Sequence, residues 1–318
     1  MDEDTTALVP ENWFDNPLEM TLGEYLLEKA RPILELLPER DRLFIIGAGI
    51  STGGNYKNIN ITGKLNVKDH LLASQLNVTG KGFFNGFVFV NGNTVIAGKV
   101  SFNHQCIFIG NSTVSGKISF EKHLISSGIL NIKGKAMVEG NIYTDNEFRI
   151  SGHLKANTIK STSLIISKSN LEITEKIIAK EFISFGGGSV GEINANQISI
   201  GFSNTERLKR LNREFDDREK LTNPSSIGKY LVNVVKGISI FNRNKETKIL
   251  EIQGDLIGDN VEVANCVING SIKANNVKIG HNVQIIGQIE YTQEIDVLDG
   301  EVDNYTIKQI DKHHEIEK

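Results

Sequence analysis

The chain has 318 residues, a formal net charge of −4 and two cysteines. The mild acidity gives no overall case for nucleic-acid binding, two cysteines are too few for a disulfide scaffold, and no run approaches the ~20 apolar residues of a membrane span. Six acidic and no basic residues among the first 20 give the N-terminus the wrong sign for a secretory leader, so a cytoplasmic protein is expected.

Residues 1–44 read as an acidic N-terminal segment with a short helix. Thr21 and Glu24 fit a capping box, Leu22, Tyr25, Leu26, Ala30 and Ile33 form an apolar stripe, and Pro32 kinks or ends the helix. Such a helix is expected to cover the open end of the structure that follows, because a bare strand edge invites pairing. Leu43 to Ser51 look like a strand running into a nucleotide-binding glycine loop. A dinucleotide site needs a helix N-terminus next, and Gly53, Gly54, Asn55, Tyr56 and Asn58 stand there instead. The segment is read as the entry to a repeat, and no cofactor is expected.

Residues 45–203 form the first lobe of that repeat. Gly63, Gly80, Gly98, Gly116, Gly134 and Gly152 recur at spacings of 17, 18, 18, 18 and 18, each with Ile or Val two positions earlier. A fixed period of this length means one supersecondary unit stacked many times. Apolar residues alternate after each glycine (Val100 and Phe102, Ile118 and Phe120), which is the period of a strand. A second glycine series, Gly92, Gly110 and Gly128, divides the repeat into sides of about six residues. The expected fold is all-β: a three-sided β-helix of ~18-residue coils rising ~4.8 Å each, with Phe84, Phe102 and Phe120 stacked inside and a length on the order of 55 Å. Seven to nine coils are expected before residue 203 and about four later.

Residues 204–229 interrupt the pattern as a charged helical insertion or linker. Ser203 and Glu206 fit a capping box, Leu208, Leu211 and Phe215 share a face, and Asn223-Pro224 ends the run. The repeat texture returns at Tyr230, so residues 230–311 read as a second lobe and 312–318 as a tail.

Two surfaces stand out. Lys64, Lys81, Lys99, Lys117 and Lys135 each follow a repeat glycine and are expected to line one edge as a candidate anion-binding stripe; Asp255, Ser271 and Gln288 hold the matching phase in the second lobe. Ile285, Ile286, Ile289, Ile295 and Val297, in the last coils, are the expected self-association surface, because no capping helix follows them. His104 and His123, 19 apart, fall in neighbouring phases of adjacent coils and read as turn residues; no histidine shows a zinc-like pairing with cysteine. Cys106 and Cys266 sit in strand-like runs and read as small buried apolar residues. Gly186-Gly187-Gly188-Ser189 lacks the Lys-Ser/Thr of a phosphate loop. No catalytic, cofactor or metal residue is assigned.

The stretch from Gly270-Ser271-Ile272-Lys273-Ala274-Asn275-Asn276-Val277-Lys278-Ile279-Gly280 into Val283-Gln284-Ile285-Ile286-Gly287-Gln288-Ile289 resembles the core repeat of bactofilins, the polymer-forming cytoskeletal proteins of bacteria and some archaea. The segment Gly191–Ile200 has the same texture, and the resemblance covers most of 47–203 and 230–300. It implies a right-handed β-helix that joins end to end into non-polar filaments without nucleotide and scaffolds envelope or shape-determining proteins. The expected partner is therefore another copy of the chain, with scaffolded proteins and an anionic membrane surface beyond it, and no specific nucleic-acid partner. The chain departs from the family in its doubled length, its insertion and its acidic, helical N-terminus.

The alternative is an enzyme on a β-helix. Acyltransferases of this shape place a small residue straight after the aliphatic one, a match met here only at pairs such as Ile109-Gly110 and Ile279-Gly280. Carbohydrate-active β-helices carry clustered carboxylates, and these repeats are poor in Asp and Glu.

Overall fold

The structure, a computed structural model, describes residues 22–36, 39–168, 170–201, 248–297 and 306–310. Among them are one helix, Leu22–Leu36, and 23 strands, all paired in parallel and wound into a β-solenoid of about 13 turns. A coil of the first lobe shows why the sequence alternates. Ile118 and Phe120, Leu124 and Ser126, and Leu130 and Ile132 point inward and are buried, while residues 121–123, 127–129 and 133–134 turn the three corners. Stacking such coils buries one apolar column on the next, and a single core cluster runs from Tyr56 to Ile289. Phe84, Phe102 and Phe120 form the expected internal stack, with centroids 4.8 and 4.9 Å apart.

The glycine column sits at one corner. Gly47, Gly63, Gly80, Gly98 and Gly116 are register partners in successive coils. At Gly98 the backbone has φ +136°, and an added Cβ would land on the carbonyl oxygen of Gly80. Only glycine permits both that conformation and that approach. Outward asparagines add side-chain bonds between coils: Asn77 Nδ2 donates to Asn60 Oδ1 at 3.0 Å from strand to strand, and Asn103 Nδ2 to Asn85 Oδ1 at 3.0 Å between turns.

The two lobes are one solenoid. The strand Gly188–Ile200 pairs directly with Leu250–Ile252 and Leu256–Val263. Gly188 and its partner Leu250 are 62 positions apart; with residues 202–247 set aside, 16 remain, the same coil length that separates Leu256 from Ile272. The expected helix within 204–223 and the expected return of the repeat at Tyr230 fall outside the described residues. The described repeat resumes at Leu250.

Two expectations at the N-terminus are corrected. The first strand, Glu39–Ser51, begins inside the segment read as non-repetitive. Of the two roles open to Pro32, ending the helix is excluded, since the helix runs past it to Leu36. The helix also lies on the flank and not over the solenoid end. Leu22 and Leu26 pack on the flank, against Leu72, Phe87, Phe89, Ile107 and Ile125, and the Leu22 N–H donates to Asp145 Oδ2 at 3.3 Å. Leu72, Phe89, Ile107, Ile125 and Tyr143 are register partners one coil apart, pointing outward from one face. The helix lies along this apolar column because it is the face that has most to gain from cover; burying each leucine contributes ~2 kcal/mol.

Candidate interaction surfaces

The lysine edge is a true column. Ala48, Lys64, Lys81, Lys99, Lys117, Lys135 and His153 are register partners in seven successive coils. All five lysines are exposed, and no described residue sits close enough to pair with any of them. Neighbours one coil apart repel by ~1 kcal/mol in water, less in salt. The column is closed at His153, whose Nε2 lies 3.3 Å from Glu172 Oε1. The expected counterpart in the second lobe lies elsewhere. Asp255 precedes Leu256, which pairs with Ile193, so Asp255 stacks over Glu192 and away from the lysine corner. It is held by the Ser271 N–H at 2.8 Å and Lys273 Nζ at 2.9 Å. Partial burial pushes the Asp255 carboxyl up, but those two donors and the Lys273 charge outweigh it and hold it below the usual carboxylate range.

The expected self-association residues divide. Ile285 and Ile289 belong to the core, and Ile295 and Val297 pack partly against it; only Ile286 is an exposed apolar side chain. A further strand, Thr306–Gln309, follows and pairs with Gln288 to Tyr291. The outer edge of residues 292–297 has no partner among the described residues. At the opposite end the first strand pairs on one side only among the described residues, with Leu43 and Ile45 partly packed on the core.

The remaining candidate groups are scattered. His104 meets His70 edge to face, centroids 6.5 Å apart, and His123 meets Tyr143 at 5.8 Å, so the two histidines do not pair with each other. Burial lowers both pKa values, helped at His104 by His70 and at both by Lys122. His123 Nδ1 accepts from the Asn141 N–H at 2.9 Å. Cys106 and Cys266 are free and buried; burial pushes the Cys266 thiol up to about 12 and Cys106 well above its usual value, so both behave as small apolar residues. Among the described residues no three His, Cys, Asp or Glu side chains are placed to hold a metal, and no helix is long and apolar enough to cross a membrane. A depression on the second lobe is lined by Glu262, Lys278, Glu294 and Asp296, with Lys278 Nζ 4.0 Å from Asp296.

Two features escaped the sequence reading. One is the outward apolar column under the helix. The other is a buried ion pair, Arg149 with Glu147, bidentate at 2.6 and 2.8 Å. The only sequence signal for the first was the run of consecutive apolar residues at Val88-Phe89-Val90 and Cys106-Ile107-Phe108, which breaks the alternation. The chain matches no family model, and no curated protein or solved structure is significantly similar to it.

Proposed function

We propose that the protein is a non-enzymatic, bactofilin-like cytoskeletal scaffold that associates with copies of itself through the ends of its solenoid, without nucleotide, in the cytoplasm. The observation that supports this reading is that the helix lies on the flank and that no described residue covers the outer edge of either terminal coil. Glu39–Ser51 at one end and residues 292–297 at the other offer backbone edges with no partner among the described residues, over apolar side chains, Leu43 and Ile45 or Ile295 and Val297. A parallel edge of this kind is a template for another strand.

The test is sedimentation velocity and negative-stain microscopy over a concentration series with no nucleotide added. Larger species are expected to grow with concentration. Ile295→Lys and Ile45→Lys each place a charge at one end and are expected to shift the distribution to smaller species with unchanged circular dichroism. A wild type that stays monomeric throughout overturns the reading, and acyl-transfer or glycan-cleaving activity would favour the enzymatic alternative.

A further inference from the structure

The corner that carries the lysines also carries uncovered apolar side chains. On the first strand, Phe44, Ile46 and Ile50 are 67%, 73% and 69% exposed. Ile46 and Ile50 stand two residues either side of Ala48, whose partner one coil on is Lys64, and Phe44 stands two residues before Ile46. Phe83 and Met137 share the column of Ile50, and Val95 that of Phe44. These six are among nine large apolar side chains left exposed by the described residues. Between the column of Phe44 and that of Ile50, the first six coils hold no Asp or Glu.

Single exposed apolar residues are ordinary on a protein surface; a set gathered on one edge beside cations with no partner among the described residues marks an interaction site. A soluble polyanion would engage the lysines and leave Phe44, Ile46 and Ile50 in water. A second copy meeting the same corner would bring two lysine columns face to face. An anionic bilayer satisfies both chemistries: apolar side chains enter the boundary between headgroups and acyl chains, and lysines meet the negative surface. We propose that this corner docks on an anionic lipid bilayer, with Phe44, Ile46 and Ile50 entering the interface at the first coil and the five lysines lying over headgroups along ~20 Å of the rod. The C-terminal edge used for end-to-end association is remote from this corner, and at the N-terminal edge Phe44, Ile46 and Ile50 share the strand Glu39–Ser51 but are exposed, whereas Leu43 and Ile45 pack partly on the core, so the serine changes leave the edge's own apolar residues in place.

The test is co-sedimentation of the full chain with vesicles of phosphatidylcholine alone and of phosphatidylcholine mixed with phosphatidylserine. Binding to the mixed vesicles is expected at low salt and is expected to fall as salt rises. Each Lys→Gln change at 64, 81, 99, 117 or 135 is expected to lower the partition coefficient about fivefold. The triple change Phe44→Ser, Ile46→Ser, Ile50→Ser is expected to lower it at least tenfold, given roughly threefold or more per apolar group withdrawn. All eight side chains are exposed, so the variants are expected to keep the wild-type circular dichroism. The proposal is overturned if the wild type ignores the mixed vesicles, if it binds both vesicles alike, or if the five-lysine variant binds as the wild type does. It is also overturned if the triple serine variant keeps full vesicle binding, whether it retains heparin binding, which marks a polyanion site, or loses large species without lipid, which marks a subunit contact. A strictly monomeric wild type that binds the mixed vesicles supports the docking while removing the filament reading.

Discussion

Phe102 and Phe120, one coil apart, lie face to face with their planes 4° from parallel and their centroids 4.9 Å apart. Phe102 also stacks on Phe84 and is fully buried, so it holds three coils together. Phe102→Ala is expected to cost about 4 kcal/mol and Phe102→Leu less than half of that. Urea unfolding followed by circular dichroism checks the order; equal losses would mean that the ring stack, and not the volume that leucine restores, carries the stabilisation.

Gly98 is expected to refuse a methyl group. Gly98→Ala meets both the positive φ and the Gly80 carbonyl, and is expected to cost more than 2 kcal/mol, whereas Lys99→Ala beside it stays within about 0.5. The comparison of the two melting curves decides the matter, because both variants change the same corner.

Leu26 anchors the helix to the flank rather than to the core of the rod. Leu26→Asp is expected to release Leu22–Leu36 while the β-type circular dichroism remains. Limited proteolysis should then cut within the helix before any strand, and the uncovered Phe89, Ile107 and Ile125 should bind a hydrophobic dye. Loss of the β signal would mean that the helix is required for the solenoid to form.

His123 makes stability depend on pH in a stated direction. Burial, with Lys122 beside it, lowers its folded pKa, and the neutral ring accepts the Asn141 N–H. The unfolded chain therefore binds the proton more readily than the folded one. Stability is complete above the unfolded value of about 6.5 and falls as pH drops through that value toward the lower folded one. The melting midpoint is expected to be lower at pH 5.5 than at pH 7.5, and His123→Gln, which keeps an acceptor, is expected to shrink the difference. His104 contributes in the same sense.

Much of this architecture was legible because repetition encodes register. Gly63 to Gly116, the lysines that follow them and the phenylalanines of the stack keep one phase, and residues in one phase must stack. Legibility failed where the phase drifts. Register shifts between Ala156 and Thr158, and between Ile173 and Lys176, together with shorter coils later on, carry Asp255 away from the lysine corner. The place of the helix was hidden for another reason. An amphipathic stripe says that one face is buried but not against what, and its partner was the outward side of strands whose inward side already satisfied the alternation. The burial of Ile289 was not legible because Thr306–Gln309, far along the sequence, adds a strand beyond it, while Ile285, which that strand does not reach, packs into the core.

The strict corner of Gly63, Gly80, Gly98 and Gly116 makes the coil a unit of length. Each unit adds one rise of ~4.8 Å and changes nothing at either end, since every coil touches only its neighbours. Duplicating residues 99–116 would lengthen the protein by one such step, and deleting them would shorten it by one, so the distance between its two extremities is a digital quantity written in the number of glycines. Whatever this rod separates or aligns, its sequence acts as a ruler graduated in single coils.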